Sequence, residues 1–202
     1  MSEVRQHDIT AQAVLQTRPH LLVDEPADTA SVTVNPTNFV ADRQRFAQLG
    51  ATVLPELLQR GGPLRVWSAG SSLVFEPYSL ASMLSEQAPD RPHAILTTDS
   101  DERMLRWVET RSKGISLRTM LSFVRHDLLR DPCPEGLFDL VLYRNALSSV
   151  ADEAREEAYR RLAGVLRLGG VLLSGATEVL PQPMTLGLMA YGPGLYRKVR
   201  AA

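Results

Sequence analysis

The stretch Val66 to Ser79, Val-Trp-Ser-Ala-Gly-Ser-Ser-Leu-Val-Phe-Glu-Pro-Tyr-Ser, most limits what this chain can fold into. Leu64 and Val66 open it as a buried strand, the small residues from Ser68 to Ser72 break it, and Glu76-Pro77 restart it as a helix. Strand, tight turn and helix are where an open α/β sheet holds a nucleotide-bearing ligand, because small residues such as Ala69 and Gly70 let the ligand approach the backbone. Gly70 is the one glycine in the turn, so the G-x-G-x-x-G pattern of dinucleotide sites is unmet, and a ligand held by a pyrophosphate is not expected.

Beyond the turn, strand and helix signals keep alternating. Strands are predicted at Leu64 to Ser68, Ala94 to Thr98, Leu121 to Arg125, Phe138 to Tyr143 and Val171 to Ser174, and helices at Pro77 to Gln87, Asp101 to Arg111 and from Ser149/Asp152 to Leu166. Phe138 to Tyr143 is a continuous apolar run suited to the middle of a parallel sheet. Gly169-Gly170 reads as the stop of the preceding helix. Leu186 to Tyr191, Gly192-Pro193-Gly194 and Leu195 to Val199 read as a closing antiparallel hairpin. Upstream, Phe46, Leu49, Val53, Leu54, Leu57 and Leu58 recur at helical spacing across Gly50 and Pro55, which predicts a kinked or two-piece helix packed over the sheet. The organisation expected is an N-terminal arm over residues 1–30, a helical cover over 31–62 and the α/β domain over 63–202.

Composition narrows the function classes. With 22 basic and 23 acidic residues among 202, there is no electrostatic case for nucleic acid or an anionic membrane as partner. Met1 to Asp8 is polar and no run has the length of a membrane span, so a cytosolic protein is expected. The single cysteine, Cys133, sits in Asp-Pro-Cys-Pro and reads as structural. His7, His20, His93 and His126 show no metal-ligand spacing, and Trp67 and Trp107 read as packing residues.

Several polar residues fall where strands of such a sheet end. Asp99, just after the second strand, can accept hydrogen bonds from both hydroxyls of a ribose, while Ser100 or Asp101 suffices to cap the next helix. Glu76 either complements the helix dipole or contacts the ammonium of a methionine-like group over the turn. Asp127 either recognises an adenine amino group or closes a loop turn. Arg144 and Asn145 end the fourth strand at the ligand crevice.

In order along the chain, these motifs resemble the chemotaxis receptor methyltransferases of the CheR type, which esterify glutamate side chains using S-adenosylmethionine. Trp67-Ser68-Ala69 and Glu76-Pro77-Tyr78-Ser79 look like the family's Trp-Ser-Ala and Glu-Pro-Tyr-Ser. Thr98-Asp99-Ser100-Asp101 resembles its Thr-Asp-Ile-Asp, and Asp127-Leu128-Leu129 its Asn-Leu-Leu. Tyr143-Arg144-Asn145 is similar to Cys-Arg-Asn, Gly175-Ala176-Thr177-Glu178 to Gly-His-Ser-Glu, and Asn35-Pro36-Thr37-Asn38-Phe39 to Asn-x-Thr-x-Phe. The likeness runs from about Asn35 to Tyr196. It implies a Rossmann-like class I methyltransferase sheet with a terminal antiparallel hairpin and a helical N-terminal cover. It also implies S-adenosylmethionine as methyl donor, S-adenosylhomocysteine as product, and a donor site built from Asn35, Thr37, Ala69, Gly70, Glu76, Asp99, Asp127, Leu128, Arg144 and Asn145.

The chain departs from the family where Ala41 replaces an arginine, Ser149 a tyrosine, and Leu73-Val74-Phe75 a polar Thr-Gly-Glu. A short segment, Ser112 to Met120, stands where the family carries its receptor-binding β-subdomain, and the basic N-terminal helical domain has no counterpart. The expected acceptor is therefore a small molecule or protein other than a chemoreceptor, with a carboxylate among the candidate groups. Methyl transfer from a sulfonium proceeds largely by proximity and orientation, and no residue is singled out as catalytic. The competing expectation is a catalytically silent binding or regulatory protein that keeps the fold and the donor pocket.

Overall fold

The computed structural model describes residues 45–70, 75–103, 105–106, 120–144, 151–175 and 178–201, with the backbone alone at Phe75. All of these lie in one compact unit, Pro36–Ala202. Its centre is a seven-stranded sheet: β1 (Arg65–Ala69), β2 (Ala94–Asp99), β3 (Leu121–Arg125), β4 (Phe138–Tyr143), β5 (Leu166–Ser174), β6 (Leu188–Gly192) and β7 (Leu195–Lys198), in the order β3-β2-β1-β4-β5-β7-β6. The first five strands pair in parallel, and β7 enters antiparallel between β5 and β6. The chain order reverses between β1 and β4, the switch point outside which ligands of open α/β sheets bind. The expected sheet and closing hairpin are both present.

Helices cover both faces. On one, helical residues 45–48, a π turn (Leu49–Val53), α1 (Leu54–Leu58) and α2 (Phe75–Gln87) bury Leu49, Val53, Leu54, Leu57, Leu80 and Leu84 against Val66, Leu140, Leu142 and Val171. On the other, α3 (Asp152–Gly164) buries Ala158, Tyr159 and Leu162 against Trp67, Val141 and Leu172. Alternation along β4 sends Leu140 and Leu142 to the first core and Val141 and Tyr143 to the second, as the period of two requires. Trp67 is fully buried, as expected of a packing residue, and Cys133 packs at the edge of the second core.

The cover helix is continuous, and its irregularity is the π turn. The Leu54 N–H bonds to the Leu49 carbonyl five residues back. The next such bond would run from residue 55 to Gly50, but Pro55 has no N–H to give. The Gly50 carbonyl instead accepts from Gln87 Nε2 of α2 at 2.9 Å, so the gap left by proline becomes a tie between two helices.

Two expectations need correction. The last long helix ends at Gly164, and Leu166 begins β5 rather than ending the helix. Gly169 and Gly170 lie inside the strand. The register jumps from Phe138↔Leu166 to Leu140↔Val171, so β5 carries extra residues there. Gly169 has φ +75°, and a Cβ on Gly170 would stand about 3.0 Å from the carbonyls of Phe138 and Asp139, so glycine serves an irregular strand here rather than a helix stop. The residue capping α3 is Ala151, which offers no side-chain bond; Ser149 lies outside the described residues. Of the segment Asp101 to Arg111, Asp101 precedes the helix, residues 102–103 and 105–106 are helical, and residues 104 and 107–111 are not described. Among the described residues, no helix is long and apolar enough to cross a membrane.

Candidate active site

The parallel register brings Ala69, Thr98 and Tyr143 level with one another and Asp99 level with Arg125, so the carboxyl ends of β1, β2, β3 and β4 open on one edge. Immediately beyond β1, Gly70 turns the chain with φ +61°, a conformation that residues with a side chain rarely take.

Glu76, in the first turn of α2, is held from two sides. Ser68 Oγ, fully buried at the end of β1, donates to Glu76 Oε1 at 3.1 Å. Arg144 Nε, just past β4, forms an ion pair with Glu76 Oε2 at 2.7 Å, and each side chain is only 7% exposed. The Arg144 guanidinium also lies over the Phe46 ring, 5.3 Å from its centroid. Strand β1, helix α2, strand β4 and the cover helix thus meet through one buried charge pair. Both readings of Glu76 made from its position miss this, because its partner stands 68 residues away.

Asp99 is 9% exposed. Burial pushes its carboxyl above the usual aspartate range, and the N–H groups of Asp101 and Ser100 partly offset this. The Asp101 N–H donates to Asp99 Oδ1 at 2.8 Å, while Asp101 Oδ1 accepts from the Arg103 N–H and serves the helix start. Capping therefore falls to Asp101, as expected. Asp99 is a carboxylate short of solvation at the end of β2.

Asp127 Oδ1 accepts from the Leu129 N–H at 3.0 Å, and its other oxygen faces Arg130 at 3.6 Å, so its carboxylate closes a loop turn. That loop is pinned by Arg161 of α3, which donates to the carbonyls of Leu128 and Asp131. The Leu128 side chain is buried in the second core. Asn35, Thr37 and Asn145 lie outside the described residues, as do Ala41 and Ser149.

Sequence reasoning passed over other polar groups at this edge. His126 donates from Nε2 to the Pro132 carbonyl at 2.9 Å and sets its ring edge-on to Trp67; its buried Nδ1 has no partner among the described residues. Tyr143 is buried at the end of β4, and its phenol is pushed well above the ordinary range by burial and then by the carboxylates of Glu178, Asp127 and Asp99. Glu178 is itself buried and accepts from the Gly175 N–H at 3.0 Å. The sequence named Tyr143 and Glu178 only as members of motifs and His126 only as lacking metal spacing, and gave none of them a role.

The arrangement fits a positively charged, ribose-bearing ligand. The carboxylates of Glu178, Asp127 and Asp99 lie near enough to Tyr143 to raise its phenol, and Asp99 is an under-solvated acceptor that the hydroxyls of a sugar can satisfy. Among the described residues no group of three His, Cys, Asp or Glu side chains could hold a metal ion.

Comparison with known proteins gives the family of the chain. The family model described as CheR methyltransferase, SAM binding domain, matches residues 35–112 and 109–190. A chemotaxis protein methyltransferase of Listeria innocua is 35% identical over 205 residues, covering 88% of this chain and 77% of that protein. Its counterpart in Listeria monocytogenes is 36% identical, covering 83% and 74%. Among solved structures, the N-methyltransferase NodS from Bradyrhizobium japonicum superimposes with TM-score 0.52 at 17% identity over 79% of this chain and 97% of NodS. The CMeT domain of the citrinin polyketide synthase gives TM-score 0.55 at 20% identity over 70% and 37%; at such identities these two show the shared fold alone. With the family matched over most of its length, the chain belongs to the CheR methyltransferases and is an S-adenosylmethionine-dependent methyltransferase.

Proposed function

We propose that this methyltransferase esterifies a carboxylate acceptor, carried on a small molecule or a protein, in the cytoplasm. The observation that carries the reading is the protonation chemistry of the described edge. The Tyr143 phenol is pushed upward, away from service as a base, the carboxylates of Glu76 and Asp127 are engaged by protein groups, Asp99 is assigned here to the donor's ribose, and His126 Nδ1 is buried beside Trp67, out of reach of an acceptor. An amine or hydroxyl acceptor would need its proton removed, whereas a carboxylate arrives ionised and ready to attack. The methyl donor, when bound, supplies a sulfonium methyl that needs no activation by a protein nucleophile. The chain's own task is to bind and align.

In this reading Ala69 and Gly70 allow the donor to approach the backbone, Asp99 accepts from its ribose, and Asp127, Leu128 and Asn145 border its base. Glu76 and Arg144 flank its methionine part together with Asn35 and Thr37. Glu76 draws its orientation from Ser68 and Arg144 and presents a carboxylate whose charge is shared with the guanidinium. The reading that the acceptor is not a nucleic acid rests on the near-neutral charge.

The test is transfer of a labelled methyl group from S-adenosylmethionine to a panel of glutamyl peptides, short carboxylic acids and primary amines, followed by mild alkali. Esters release the label as volatile methanol. Label that stays bound through alkali overturns the carboxylate assignment. Donor binding with no transfer to any member of the panel would point to a donor-binding protein without catalysis.

A further inference from the structure

At the opposite edge of the sheet lies a cavity of about 490 Å³ with eight lining residues, among them Leu137, Leu166, Arg167, Leu168, Lys198 and Arg200. It opens at the starts of β4 and β5 and the end of β7, roughly 20 Å from the donor edge at about 3.3 Å per strand residue. The irregular segment of β5 builds it, since the residues that break register with β4 include Arg167 and Leu168. Bulges of this kind commonly re-aim side chains beside functional sites.

Three of the eight lining residues are cationic and none is acidic, on a chain whose net charge is −1. Lys198 is the unusual member. It is 4% exposed and donates from Nζ to the Leu186 carbonyl at 3.1 Å, one bond for three N–H groups. No carboxylate pairs with it among the described residues, and burial alone pulls its ammonium below the usual lysine range. Of the other two cations, Arg167 pairs with Asp139 at 3.2 Å and Arg200 donates to the Met184 carbonyl at 2.7 Å. Asp139 is the near acid, and its remaining oxygen is taken by the Arg65 N–H. A buried ammonium without a counter-charge is a costly arrangement in a fold that gains nothing else from it. Around it the wall is apolar, with Leu137 and Leu168 largely exposed at the mouth.

We propose that this cavity is a second ligand site, which takes a small amphiphilic anion: a carboxylate or phosphate head on Lys198, flanked by Arg167 and Arg200, and a short apolar body against Leu137, Leu166 and Leu168. The head supplies the acceptors that the remaining Lys198 N–H groups lack, and the body covers leucines that otherwise face water.

The experiment titrates the full chain, saturated with S-adenosylhomocysteine, with hexanoate, hexyl phosphate and hexanol, followed by amide chemical shifts. Hexanoate or hexyl phosphate should saturate with a dissociation constant on the order of 1 mM, as expected of a ligand this small, and should shift residues 166–168 and 198–201. Preference between the two heads tells carboxylate from phosphate. Hexanol should bind at least about tenfold more weakly, Lys198→Met should cost the anions a similar factor, and Lys198→Arg should retain them. If Lys198→Met does not fold, Leu168→Asp, at a position 68% exposed, serves instead by placing an acid at the mouth, with a similar loss expected. Hexanol matching hexanoate, shifts confined to the donor edge, absence of saturation, or a folded Lys198→Met or Leu168→Asp variant with unchanged affinity each overturns the site.

Discussion

The two ends of the sheet treat a buried aspartate in opposite ways. Asp139, at the start of β4, has one oxygen on the Arg65 N–H at 2.8 Å and the other on Arg167 at 3.2 Å. Asp99, at the end of β2, is held by N–H groups of its own turn, and burial still pushes its carboxyl up. Where protein groups answer both oxygens, the acid joins strands and needs nothing more. Where desolvation outweighs the local bonds, the acid has hydrogen-bonding capacity left for a ligand, at some expense to the fold. The Glu76–Arg144 pair combines the two conditions: it lies at the ligand edge, yet it is answered by protein from both sides.

That contrast can be broken experimentally. The largest effect is expected at the buried pair: Arg144→Met strands the Glu76 charge and should lower unfolding free energy in urea by about 3–5 kcal/mol, most of it regained in the Glu76→Met/Arg144→Met double variant. If the double variant is no better than the single one, the pair is not coupled as described. Asp139→Ala leaves the Arg65 N–H unanswered and should cost about 1–3 kcal/mol of stability, with affinity for S-adenosylhomocysteine kept within about twofold. A large loss of affinity there would erase the distinction between the edges.

Asp99→Asn should show the reverse pattern, weakening S-adenosylhomocysteine at least about tenfold, or about 1.4 kcal/mol, by calorimetric titration. Its effect on stability has a definite sign. Because the folded-state pKa of Asp99 is raised, the folded protein holds that proton more tightly than the unfolded chain, and Asp99 costs stability as pH rises through the window between the two values. At neutral pH the Asn variant should therefore be as stable as the parent or more so.

The smallest effect belongs to His93, buried near the start of β2. Its Nδ1 accepts from the Leu64 N–H at 3.0 Å, and its Nε2 donates to the Ala88 carbonyl at 3.2 Å. Burial lowers its pKa, so the folded state resists protonation. Stability should be complete above the unfolded value of about 6.5 and decline as pH falls below it. Thermal melts of the parent should show this acid limb, and His93→Gln, less stable overall, should show a flatter one.

How much of this was legible in the sequence depends on how local each feature is. β3 and β4 were legible to the residue: Leu, Phe and Val between Met120 and His126 mark the one, and four apolar residues among the six from Phe138, ahead of Arg144, mark the other. The closing hairpin was legible from Gly192-Pro193-Gly194. The start of β5 was not: Leu162 to Leu166 continues helical spacing into glycines that read as a stop, while the actual constraint is the close approach of the Phe138 and Asp139 carbonyls to Gly170. Asp99 could be picked out because its place at the end of a strand, where it is buried, is a local feature of the sequence. Arg144 could be placed at the edge, but its partner could not be found, since no periodicity connects residues 68 apart. The unanswered acceptor of His126 and the buried charge of Lys198 depend on packing from several elements at once, which no local pattern encodes.

The π turn in the cover helix has a consequence for how this chain can vary in length. A π turn accommodates one residue more than an α turn. Deleting the exposed Ala51 would remove that surplus without touching the core and would rewind the segment as ordinary α-helix, because the Leu54 N–H and the Leu49 carbonyl would then stand four residues apart and the residues on either side would keep their angular relation. Phe46 would stay over the Arg144 guanidinium and Arg45 within reach of the Ser174 carbonyl, now at 3.2 Å, while Leu57 and Leu58 stayed in the core. The cover helix can thus gain or lose one residue at this turn while the contacts it makes with Arg144 and Ser174 keep their alignment.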